Sequence, residues 1–219
     1  MPKESSTPPS DLDALTYFND FQARTVEAIA ARIIPGDGAN AGATQAGVVY
    51  YIDRAISGFS TGLQRVYRLG LRELERFCQR QFSSQFVELT DQQQDQVIRW
   101  FIGDEVGGSN KLDRTQSPFR EQAETEGSAE GIDFGLLHSM FAVIREHTVE
   151  GYFCDPVYGG NRGAVSWRLV GFPGVQWGYT AEQMQPGFDA RQIPIKTLAD
   201  LRRDLKNLPD NAQYGIERK

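Results

Sequence analysis

FNDFQARTVEAIAARIIPGDG, residues 18–38, decides the fold class: Phe18, Phe21, Val26, Ile29, Ala30 and Ile33 recur mostly at three- and four-residue spacing until Pro35-Gly36-Asp37-Gly38 stops the pattern. That spacing gathers apolar side chains on one face of an α-helix. The same period returns along the chain. Ala46, Val49, Tyr50, Asp53 and Ile56 predict a second amphipathic helix ending at Gly58. Leu63, Val66, Tyr67, Leu71, Leu74, Phe77 and Cys78 predict a third over residues 61–82, with Arg65, Arg68, Arg72 and Arg76 on its solvated side. Thr90 and Gln93 match a capping box, in which each side chain satisfies an orphan amide, so a fourth helix starts near Asp91 and carries Val97, Ile98 and Phe101. Phe134, Leu137, Phe141, Ile144, Thr148 and Glu150 mark a fifth. Periodicity lapses after Gly174, until Pro194 and Thr197 introduce a short helix with Leu198, Leu201, Leu205 and Leu208 on one side. Two-residue alternation is rare, so no sheet is indicated.

The expected fold is therefore mainly α, a single helical domain of about five to seven helices with long irregular loops and an extended C-terminal tail. Residues 1–17 read as a flexible leader and 18–174 as the helical domain. Residues 175–219 read as an extension with one short helix that packs on the domain or on a partner. Inside the domain, residues 103–131 hold seven acidic side chains against three basic ones and few apolar groups, the pattern of an exposed insertion.

At 219 residues with 40% hydrophobic side chains, the chain is long enough for one sizeable core. Its net charge of −6, with Lys and Arg scattered, argues against nucleic acid as a partner. Its apolar runs are far shorter than the roughly 20 residues of a membrane-spanning helix. The N-terminus has no basic region followed by an apolar run, so no secretory signal is read there.

The stretch least like ordinary core is residues 147–174, HTVEGYFCDPVYGGNRGAVSWRLVGFPG. Asp155-Pro156 and Tyr158-Gly159-Gly160-Asn161 predict tight turns, because Pro fixes φ while Gly and Asn accept positive φ. Tyr152, Phe153, Tyr158, Trp167 and Phe172 are costly to leave wet unless they pack under the loop or against another protein. Chemistry was weighed for the same residues. Cys78, His138, His147 and Cys154 are the only thiol and imidazole groups, and a Cys2His2 zinc site needs all four, yet they lack the close-set pairs of structural zinc sites. A Cys154–His147 nucleophile pair, with Asp155 or Asn161 as orienter, lacks any recognisable strand-to-helix elbow. Gly159-Gly160-Asn161-Arg162 fits neither phosphate-binding glycine motif and reads as a turn. Glu150 and Asp155, set among aromatics, are expected to receive Arg162, Arg168 or backbone amides and fix the loop. The expected inventory for this chain is no catalytic residue, no metal and no cofactor of its own.

Two segments resemble the gluconate 2-dehydrogenase subunit 3 family. One is TVEAIAARIIPGDGANAGATQAGVVYYIDRAISG, Thr25 to Gly58, which is similar to the family's opening helix, its I-I-P turn and its A-G-V-x-x-[FY]-I-D second helix. The other is the 147–174 window, where His147, Glu150, Gly151, Phe153, Asp155, Pro156, Tyr158, Gly159, Gly160 and Asn161 follow H-x-x-E-G-[FY]-F-x-D-P-x-Y-G-G-N, and Trp167, Gly171, Phe172 and Pro173 follow W-x-x-x-G-[FY]-P. The resemblance covers roughly residues 18–174. It implies a non-catalytic small subunit that stabilises and helps mature or export a glucose–methanol–choline type flavoprotein. That large subunit would hold FAD and oxidise a sugar or polyol, with a cytochrome c subunit as further partner. Many members carry a twin-arginine signal, which this chain lacks. The expected location is the periplasm as part of a complex, with the cytoplasm as the alternative. The implied contact residues are His147, Glu150, Tyr152, Phe153, Cys154, Asp155, Pro156, Tyr158, Asn161, Arg162, Trp167 and Phe172, with Cys154 as the candidate for an intersubunit disulfide. An independent Cys/His enzyme and a generic helical adaptor are the competing readings.

Overall fold

A computed structural model of the chain describes residues 14–102 and 131–207. The leader to residue 13, the insertion from 103 to 130, and Leu208 lie outside the described residues. The described part is mainly α, with seven α-helices and no strand: α1 (Asp20–Ile33), α2 (Val48–Ser57), α3 (Gln64–Phe82), α4 (Asp91–Ile102), α5 (Phe134–Phe153), α6 (Val165–Val170) and α7 (Leu198–Lys206). Their limits follow local chemistry. Asn19 and Gln22 close a reciprocal capping box at the start of α1. Thr90 and Gln93 do the same before α4, with the Thr90 amide donating to Gln93 Oε1 at 2.9 Å.

Helix α5 is the axis of the molecule and touches α1, α2, α3 and α4. It buries Leu137, Met140, Phe141, Ile144, His147, Thr148, Gly151 and Tyr152, a stripe broad enough to meet four neighbours. Two glycines set the approach distances. A Cβ on Gly70 of α3 would lie 2.6 Å from Met140 Sδ, and one on Gly151 would lie 2.8 Å from the Tyr51 ring of α2. Aromatic rings fill the other end of the core, where Phe101 stacks on Phe141 with centroids 5.3 Å apart and meets Phe77 edge-on at 5.0 Å. Arg65, Arg68, Arg72 and Arg76 are exposed, as the helical period required.

Two buried carboxylates hold chain segments against this bundle. Asp53, wholly buried on the apolar face of α2, accepts hydrogen bonds from the amides of Thr16 (2.6 Å), Tyr17 (3.0 Å) and Phe18 (2.8 Å) and from the Thr16 hydroxyl (2.8 Å). The leader, expected to be loose through residue 17, is thus fixed from Thr16 onward. Three amides and a hydroxyl converging on one carboxylate offset the cost of burying its charge. Glu73 of α3 accepts from the Asp133 amide at 2.7 Å and pairs with Arg76 at 2.8 Å, so the chain re-enters the core at a fixed point before α5.

Candidate functional site

The C-terminal turns of α5 deliver the 147–174 window, where most buried polar side chains have a partner; the buried Thr148 hydroxyl has none among the described residues. His147 is buried, its Nδ1 lies 2.9 Å from the Tyr67 hydroxyl, and the two rings stack with centroids 5.9 Å apart. Burial lowers its pKa below the ordinary value, opposed by the nearby Glu150 and Glu146. Glu150 accepts from the Tyr51 hydroxyl at 2.9 Å, and the Tyr152 hydroxyl donates to the Ala41 carbonyl at 2.5 Å. These bonds tie the end of α5 to α2 and to the loop before it.

Beyond Phe153 the chain reverses through left-handed backbone. Gly159, Asn161, Gly163 and Ala164 all have positive φ, and Asn161 is the pin that makes the path single-valued. Its fully buried amide donates to the Cys154 carbonyl at 2.9 Å, while its Oδ1 accepts from the Ser166 amide (3.0 Å) and hydroxyl (2.9 Å). Gly160 passes so close to α5 that a Cβ there would sit 2.1 Å from the Gly151 carbonyl oxygen. Asp155 fastens two elements: Oδ1 accepts from the Val157 amide at 2.9 Å, and Oδ2 from the Leu198 amide at the start of α7 at 2.8 Å. The Trp167 indole donates to the Phe153 carbonyl at 2.9 Å and meets Phe172 edge-on at 5.1 Å. Arg162 donates its amide to the Ala46 carbonyl at 3.0 Å and lays its guanidinium 3.9 Å above the Tyr50 ring.

The C-terminal extension closes the far side. Lys196 donates its amide to the Pro173 carbonyl at 3.1 Å, and its own carbonyl accepts from Val175 at 2.8 Å. Lys196 and Leu198 thus bond to the domain at Pro173 and Asp155, and to Val175 just after it.

The candidate contact residues divide in two. His147, Tyr152, Asp155, Asn161 and Trp167 are buried, and each is engaged inside the chain. Glu150, Phe153, Tyr158 and Phe172 are exposed, and Cys154, Pro156 and Arg162 are half-buried. Glu150 accepts from the Tyr51 hydroxyl, and Asp155 from the Val157 and Leu198 amides. Leu169 and Val170 are also exposed.

The groups weighed for chemistry lie apart in the same way. Cys78 is buried in the core, His138 Nδ1 lies 2.8 Å from the Phe101 carbonyl, and the Cys154 thiol rests 3.4 Å from the Gly151 carbonyl. Burial pushes the Cys154 thiol up to about 12, so it stays protonated at neutral pH. Among the described residues no group of three or more His, Cys, Asp or Glu comes together as a metal site. Among them, too, no helix is long and apolar enough to cross a membrane.

Fold and window together define a mainly α chain whose buried polar groups hold an irregular loop in one shape with its apolar side chains outward. A family model described as gluconate 2-dehydrogenase subunit 3 matches residues 20–174, which spans α1 through the end of the window. The chain belongs to the gluconate 2-dehydrogenase subunit 3 family and is by that membership a subunit of a dehydrogenase complex. Comparison with curated proteins and with solved structures finds no match.

Proposed function

We propose that this chain is the non-catalytic small subunit of an FAD-dependent sugar or polyol dehydrogenase. It binds a glucose–methanol–choline type flavoprotein subunit, keeps it soluble, and helps it mature and reach the periplasm. One observation carries the reading: His147, Tyr152, Asp155, Asn161 and Trp167 are engaged inside the chain, while Phe153, Tyr158, Leu169, Val170 and Phe172 face solvent. Large apolar side chains held outward by a rigid frame suit a protein partner, because little ordering entropy remains to be lost on binding. FAD and the substrate site belong to the large subunit in this reading. A cytochrome c subunit is reached only through the complex. An independent Cys/His enzyme is disfavoured by the protonated Cys154 thiol and by His147 being held on Tyr67.

Co-expression of the flavoprotein with and without this chain tests the proposal. Soluble, flavin-loaded dehydrogenase is expected to fall severalfold when the chain is omitted, and an undiminished yield sinks the maturation role.

A further inference from the structure

Within one turn at the end of α6 the chain exposes Arg168, Leu169, Val170 and Phe172 together, with Val170 at 56% and Phe172 at 45% of full exposure. Trp167, just before Arg168, is turned inward, and Phe172 meets its ring edge-on at 5.1 Å. A second arginine arrives from the C-terminal extension. Arg191 lies across Gly171, where a Cβ would meet its Cγ at 3.1 Å and its Nε at 3.3 Å. Gly171 also has a φ of +73°, so both its backbone and the space above it exclude a larger side chain. The turn carrying Arg191 is itself fixed, with its amide donating to Asp189 Oδ1 at 3.0 Å. Arg168 approaches Gly163 in the same manner, its Nη1 3.7 Å from where a Cβ would be. Both side chains are exposed, and the Arg191 stem rests on the bare backbone of Gly171.

This arrangement contrasts with the chain as a whole, which carries 29 acidic against 23 basic residues. An apolar centre with a charged border is the anatomy of a specific protein interface, in which the centre supplies affinity and the border supplies register and association rate. Arginine favours planar carboxylate partners, which it meets with two parallel hydrogen bonds.

We propose that Leu169, Val170 and Phe172 form a docking patch bordered by Arg168 and Arg191, and that its occupant is an apolar surface of the flavoprotein subunit rimmed by Asp and Glu. The assignment rests on the accessory-subunit reading above and adds the chemistry of the partner's side. Both arginines are exposed, so reversing their charge leaves the frame intact.

A competition experiment tests it. The flavoprotein subunit is co-expressed with equal amounts of two differently tagged small chains, wild type and R168E/R191E, and their ratio in the purified complex is measured. The wild type is expected in about tenfold excess, because each reversal sets like charges against one another. A paired control, R65E/R72E on the solvated side of α3, is expected near parity with wild type. Equal capture of R168E/R191E overturns the proposal while leaving the accessory role standing. Capture of neither chain overturns the accessory role itself. Binding of purified wild-type chain to phosphatidylserine vesicles, lost in R168E/R191E, reassigns the patch to an anionic membrane and overturns the protein occupant.

Discussion

At the scale of single residues, His147 links the core to the window and makes stability depend on pH with a definite sign. Burial holds its folded pKa below the ordinary 6.5, so on acidification the unfolded chain takes up a proton that the folded chain refuses. Stability contributed by neutral His147 is complete above 6.5 and is lost as pH falls below it, by up to about 1.4 kcal/mol per pH unit until the folded imidazole titrates. The raised Glu27 and Glu75 carboxyls act in the opposite sense, and both are present in wild type and variant alike. Urea denaturation at pH 7.5 and at pH 5.5 is therefore expected to show a smaller loss for His147→Gln than for wild type, since Gln can still accept from the Tyr67 hydroxyl. Equal losses would refute a buried neutral imidazole. Asp53 was harder to interpret from sequence than His147. It sits at a core position of α2, and that misplaced polarity was its one visible signal; the three amides it collects come from residues 35 to 37 positions away.

At the scale of elements, helix existence was legible wherever an apolar period ran unbroken, and the Thr90 and Gln93 capping pair located the start of α4. What the sequence left open was the direction each window side chain faces. Tyr152 and Phe153 are neighbours with equal claim to the core, and only the Ala41 carbonyl, 111 residues before Tyr152, decides that Tyr152 goes in. Trp167 goes under because the Phe153 carbonyl is free at the end of α5 to receive its indole. Close backbone contact between the α5 terminus and the reversing loop yields a direct prediction. Gly160→Ala forces a methyl against the Gly151 carbonyl and is expected to cost about 2–4 kcal/mol in urea denaturation. Gly178→Ala, with nothing within 4 Å of the added carbon, is expected to leave the unfolding midpoint nearly unchanged. Equal effects at the two positions would show that the loop does not rest on α5.

At the scale of the whole molecule, the matched family region ends at residue 174, yet the structure continues to use the chain after it, through Lys196 on Pro173 and Leu198 on Asp155. The leucine spacing disclosed α7; nothing in the sequence disclosed that Asp155 caps it. Assembly with a partner also tests Cys154. Its thiol is half-buried next in sequence to the exposed Phe153, and burial keeps it protonated, so it resists casual oxidation and modification. If the complex places a partner cysteine against it, non-reducing gels of the complex are expected to show a slower band that disappears on reduction and in Cys154→Ser. A band pattern identical in wild type and Cys154→Ser rejects the intersubunit bridge.

The fasteners of the window share one property with a consequence for timing. Tyr51 to Glu150 spans 99 positions, Ala41 to Tyr152 spans 111, and Asp155 to Leu198 spans 43. Closing such separations is limited by loop entropy, which grows only slowly with length, so the residues between α4 and α5 can vary in number at little cost. The same separations mean that a ribosome-bound chain stopped before residue 198 lacks part of the clasp. The window's shape is thus completed only by its most C-terminal fastener, the Leu198 amide on Asp155.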